Sequence, residues 1–150
     1  MQAMLDNLPL QRDLVLSPGQ RVLIRETFAL VKPRGDAVAA SLYTRLFEIA
    51  PSLRPHFPDD LTATGDKLMR VLALAVFNLE QLESIGPSIR SLGRRHVGYG
   101  ARDADYDTVG QALVWSLEHE LAAAFTPDVR DAWVTLYEIL TSMMRRHKPV

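Results

Sequence analysis

The chain contains no cysteine, which excludes disulfides, thiolate metal ligands and any cofactor attached through a thioether. It also lacks the run of about 20 apolar residues that a membrane span requires. The opening MQAMLDNLPLQRD has no basic stretch leading into an uninterrupted apolar segment, so it does not read as a signal peptide, and the expected location is the cytoplasm. An excess of one charge is missing as well. Seventeen Lys and Arg face 18 Asp and Glu, for a net charge of −1, and nothing points to a nucleic-acid or anionic-membrane surface. The short basic tail RRHK reads as a solvated helix end. No segment alternates apolar and polar residues as a half-buried strand does, and there is no internal repeat or low-complexity tract.

What remains is a globular mixture: 150 residues, 47% hydrophobic and 23% charged. This suits one domain with a real core and room for a pocket inside it. The expected division is a loose extension over residues 1–16 and a single domain over 17–150. Helix punctuation recurs along that domain. Ser17, Pro18 and Gln20 form a capping-box pattern with proline at the first helical position, followed by the stripe Ile24, Phe28, Val31. Asp36 is placed to cap a second helix carrying Val38, Leu42, Leu46 and Ile49, which Pro51 stops. After the proline-rich PSLRPHFPDD, Asp60 can open a longer helix with Leu61, Thr64, Leu68, Leu72, Ala75 and Leu79 on one face. Asp105 is expected to cap a helix bearing Tyr106, Val109, Leu113, Leu117 and Leu121. Thr126 and Pro127 begin the last helix, with Val129, Trp133, Leu136 and Leu140 inward. The fold class is all-α, with about six to seven helices.

Between the third and fourth of these stripes, Ile85, Ile89, Leu92, His96 and Tyr99 recur every three or four residues until Gly98 and Gly100 end the pattern. His96 therefore sits on an apolar stripe, where an imidazole is either a core histidine satisfied by backbone carbonyls or a ligand. The other histidines offer it no company. His56 lies in the proline-rich turn, His119 between Glu118 and Glu120, and His147 in the tail, so no zinc-like pair exists.

Three stretches together carry a family resemblance from Ser17 to Arg146. SLYTRLFEIAPSLRPHF, SLGRRHVGYG and FTPDVRDAWVTLYEIL resemble segments of globins, with a texture similar to bacterial single-domain globins, the globin part of flavohaemoglobins, and neuroglobins. The resemblance implies a globin fold enclosing non-covalent haem b, with His96 as the iron ligand and Phe57 against the haem face. It puts Tyr43 where many bacterial members carry a hydroxyl aimed at the iron-bound ligand; a core aromatic packed with Ala39, Leu46 and Phe47 is the other reading, and both can hold. Thr64 stands where histidine or glutamine is usual, with Leu68 one turn later. Threonine is too short to reach iron, so this is the chain's main departure from the family. Lys67 either covers the haem edge and pairs with a propionate or, with its amine neutral, swings in to bind ferric iron. Arg95 is a second propionate partner or a solvated charge. Tyr106 matches a flavohaemoglobin tyrosine that works with a glutamate, but that glutamate would fall at or beyond Val150. Trp133 and Tyr137 match aromatics of the last helix.

The implied function is reversible binding of O2, with NO and CO as further ligands. A nitric oxide dioxygenase is the enzymatic alternative, with peroxidase-like activity in the same class. Turnover would need a separate reductase, since no glycine-rich dinucleotide fingerprint is present. A haem-free helical regulatory module is the third reading.

Overall fold

The computed structural model describes residues 14–98 and 102–145, with the backbone alone for residues 96–98. Among the described residues there are six α-helices and no strand. They are α1 (Pro18–Val31), α2 (Gly35–Ile49), α3 (Thr62–Phe77), α4 (Gly86–Gly98), α5 (Asp103–Leu121) and α6 (Pro127–Arg145). Short 3-10 turns join α1 to α2, α2 to α3, α3 to α4 and α5 to α6. No helix among the described residues is long and apolar enough to cross a membrane. The expected extension lies mostly outside the described residues; at its end Leu16 is buried and Leu14 packs on the core.

The start of α1 forms as its sequence dictates. Ser17 Oγ accepts from the Gln20 N–H at 3.0 Å, and Gln20 Oε1 accepts from the Ser17 N–H at 2.9 Å, so two orphan donors are satisfied reciprocally. Three other starts differ from expectation. Asp36 does not cap α2, which begins at Gly35 straight from the preceding 3-10 turn; the carboxylate lies in the first turn, where it complements the positive helix end. Asp60 Oδ1 accepts from the Thr62 N–H at 3.0 Å, which holds its carboxyl below the usual range. α5 begins two residues before Asp105, whose carboxylate instead accepts from the Arg102 N–H at 2.8 Å. At the far end of α3, Leu79 falls beyond the helix, in the 3-10 turn.

α2 packs on α5 and α3, α1 on α6, and α4 on α6. Polar ties fix two of these seams. The Ser116 hydroxyl donates to the Val38 carbonyl at 2.7 Å in the buried α2–α5 contact. The Trp133 indole N–H donates to Thr27 Oγ1 at 2.9 Å while that hydroxyl donates to the Leu23 carbonyl, so a fully buried indole has its partner. Glycines set the close crossings. A Cβ at Gly65 of α3 would stand 2.9 Å from the Ala39 Cβ of α2, and one at Gly110 of α5 only 2.6 Å from the Tyr137 ring of α6.

Candidate haem site

Two consecutive helices decide where a ligand can go. α3 leans on α2 and α4 on α6, yet α3 and α4 make no more than marginal contact with each other. The effect shows along the α3 stripe. Leu72, Ala75 and Leu79 are buried, whereas Leu61, Thr64 and Leu68 on its first half are half-buried, as is Val71. These four recur at intervals of three, four and three, one face of a helix, beside the Gly65 contact that pins α3 to α2. An apolar stripe left half-covered along the first half of α3 suits a flat apolar group.

Three rings stand together at the mouth of this region. Tyr43 on α2 stacks on Phe47 with centroids 6.3 Å apart and meets Phe57 edge-on at 5.7 Å; Phe47 and Phe57 pack edge-on at 5.3 Å. Tyr43 is buried, at 8% exposure. Its hydroxyl donates to the Thr64 carbonyl at 3.4 Å, the outer limit of a hydrogen bond, so the phenol reaches the flank of α3 without being tightly held there. Burial pushes its pKa up to about 12, which keeps it protonated, and a donor, through the whole physiological range.

Phe57 is set by a residue that periodicity does not reveal. Arg54 donates through Nη1 to the carbonyls of Phe57 (3.2 Å) and Pro58 (3.0 Å), and through Nη2 to that of Asp59 (3.1 Å). Its guanidinium also lies 5.1 Å from the Phe47 ring centroid. The proline-rich turn is thus latched from within. The only sequence signal is an arginine three to five residues ahead of carbonyls that no helix ladder uses.

Lys67 and Arg95 are both exposed, on α3 and α4. Arg95 Nη1 donates to Ser91 Oγ at 3.1 Å. Tyr106 is buried on α5 beneath the Arg145 guanidinium, 5.0 Å from its ring centroid, and its carbonyl accepts from the Tyr137 hydroxyl. His96 falls on the last turn of α4, and its side chain lies outside the described residues, as do Tyr99, Gly100 and His147. Of the remaining histidines, His56 is exposed on the turn before Phe57, and His119 stacks on Trp115 at 5.2 Å with its Nε2 4.0 Å from Glu120. No group of three or more His, Cys, Asp or Glu suited to a metal ion occurs among the described residues.

Residues 40–144 match the Globin family. The chain belongs to the globin family. This globin is 31% identical over 146 residues to a neuroglobin of Danio rerio, covering 87% of this chain and 91% of the relative. It is 28% identical over 145 residues to a neuroglobin of Tetraodon nigroviridis, with the same two coverages. Its fold is similar to that of a bacterial globin from Campylobacter jejuni, with a TM-score of 0.76 at 19% identity over 87% of this chain and 96% of that one. Globins typically bind haem and, with it, diatomic gases. The residues here fit that group: parted helices, a half-covered apolar stripe, a ring cluster, and cations on the flanking helices.

Proposed function

We propose that this globin holds haem b between α3 and α4 and binds O2 reversibly, with NO and CO as alternative ligands. His96 would supply the axial nitrogen, Phe57, Thr64 and Leu68 the walls, Lys67 and Arg95 the charges opposite the propionates, and Tyr106 a contact on the His96 side. Haem held by one imidazole would supply an iron able to take a diatomic ligand.

The observation that carries the reading is the Tyr43 phenol. It is buried, protonated, and held among the described residues by one long bond at the half-covered flank of α3, so turning its O–H from the Thr64 carbonyl to a ligand gives up little. The donation is worth about 1.5–3 kcal/mol when the acceptor carries charge. The short Thr64 side chain leaves room for that turn, and Leu68 and Phe57 keep water out.

The test is Tyr43→Phe. O2 dissociation followed by stopped flow is expected to quicken about ten- to a hundredfold, and an unchanged rate would remove Tyr43 from the distal role. The same donor favours a second reading, nitric oxide dioxygenase activity, in which NO and O2 would be converted to nitrate with one electron taken from ferrous iron, and a separate reductase would return that electron to the ferric iron left behind. Sustained NO consumption with a reductase supplied would support the enzyme. Tight O2 binding with a single stoichiometric consumption of NO would support the binder.

A further inference from the structure

The cations of this chain are unevenly matched. Between Glu83 and Asp103 there is no acidic residue, while Arg90, Arg94, Arg95 and Arg102 all fall there. Arg102 is matched by Asp105 at 3.4 Å, and the neighbouring Asp103 and Asp107 lie 3.9 and 3.8 Å from Arg145. The aspartates at the start of α5 are thus already engaged by other arginines. On α4, Arg94 and Arg95 are exposed and Arg90 half-buried, and none of the three has an ion pair among the described residues. Nearby, Glu80 is paired with Arg25, which leaves Glu83 as the carboxylate closest in sequence.

The position of Arg90 adds to the imbalance. Its Nη1 lies 2.9 Å from where a Gly86 Cβ would stand, so the guanidinium rests over the first residue of α4. Positive charge is thereby stacked on the positively polarised end of a helix, an arrangement that an approaching anion relieves. Arg90 and Arg94, four residues apart, share one row of α4, and Arg95 flanks it.

We propose that this arginine ridge on α4 is the docking surface for an acidic one-electron carrier protein. The proposal rests on the haem reading above and supplies the reductase contact that its dioxygenase form requires. α4 also carries His96, one residue after Arg95, so a donor seated on the ridge stands over the helix that anchors the iron. The step is a single electron transfer: the carrier loses one electron, ferric iron gains it, and no atom or proton moves. Arg90 and Arg94 steer and hold the partner without touching the ligand pocket, and charge complementarity acts mainly on the association rate.

The experiment uses haem-loaded protein and reduced flavodoxin as the acidic probe. The bimolecular rate of ferric reduction should fall steeply as salt rises from about 10 to 300 mM, as screening shortens the reach of the charges. In the Arg90→Glu/Arg94→Glu variant the low-salt rate should drop tenfold or more and the salt slope flatten or reverse, with O2 dissociation unchanged. Oxidised flavodoxin, which transfers no electron, should shift backbone NMR signals of α4 in the wild-type protein, and less so in the variant. A flat wild-type salt profile, a variant as fast as wild type, or shifts confined to another helix would overturn the docking surface alone. A wild-type protein with no Soret band would overturn the haem reading along with it. Because the wild-type salt profile needs no mutation, the proposal stays exposed even if the double variant folds poorly.

Discussion

The α1–α6 seam and the α3–α4 gap are built from similar amphipathic helices, yet they end differently. At the first, Thr27 and Trp133 are buried and bonded to each other, and the apolar positions around them are closed to solvent. At the second, Leu61, Leu68 and Val71 remain half-covered because consecutive helices lean on different neighbours. The difference lies in what each stripe meets: the first is closed against another helix, and the second is left half-covered.

The closed seam is most vulnerable at Trp133. Truncation to alanine should destabilise the protein by about 3–5 kcal/mol with or without haem, because the indole and its bond to Thr27 are lost together; denaturant titration of both forms measures this. Leu68→Ala should behave in the opposite manner, costing about 1 kcal/mol or less in haem-free protein and showing its larger effect as faster haem loss. Equal costs for the two variants in haem-free protein would abolish the distinction between seam and gap.

Gly110→Ala sharpens the closed side of the comparison. Its new methyl would stand 2.6 Å from the Tyr137 ring, and overpacking of this kind costs about 1–3 kcal/mol. Tyr137→Leu in the same background should recover part of the loss, as read by thermal melting.

Alkaline pH tests both sides at once. Burial raises the pKa of Tyr43 to about 12 and drives that of Tyr137 higher still, the latter against a partial pull from Arg145. The unfolded chain releases these protons near pH 10, so the folded state binds more protons above that point. Stability is then fully present below pH 10 and declines as pH rises toward 12, by up to about 1.4 kcal/mol per pH unit for each tyrosine. Melting of the Tyr43→Phe/Tyr137→Phe double variant should depend less on pH over that window.

Much of this was legible in the sequence because it depends on local periodicity and caps. The Ser17 box, the burial of Leu72, Leu117 and Trp133, and the all-α class follow from spacing alone. The globin likeness rested on three stretches whose order and separation had to agree, and the family match bears it out. Other features depend on contacts remote in sequence, where spacing is silent. Asp36 and Asp105 look like caps by type, but a 3-10 turn leads straight into α2, and α5 starts two residues ahead of Asp105. The Arg54 latch, though local, has no periodicity to announce it, while Gly65 as the crossing point with Ala39 and Ser116 reaching the Val38 carbonyl could be read only once α2 had been laid against α3 and α5. The division of the α3 stripe into covered and half-covered halves was hidden for the same reason, since Thr64 alone sets the two halves apart on paper.

The central claim is that a single imidazole on α4 anchors iron across the gap from the Tyr43 phenol. Absorption spectra of the ferric, deoxy-ferrous and oxygenated protein, purified with haem supplied, test it directly beside the His96→Leu variant. The account predicts a Soret band, a five-coordinate ferrous form and a stable oxygenated form in the wild-type protein, with ligation collapsing in the variant. A six-coordinate low-spin ferrous wild type, or a variant with an unaltered spectrum, would contradict it.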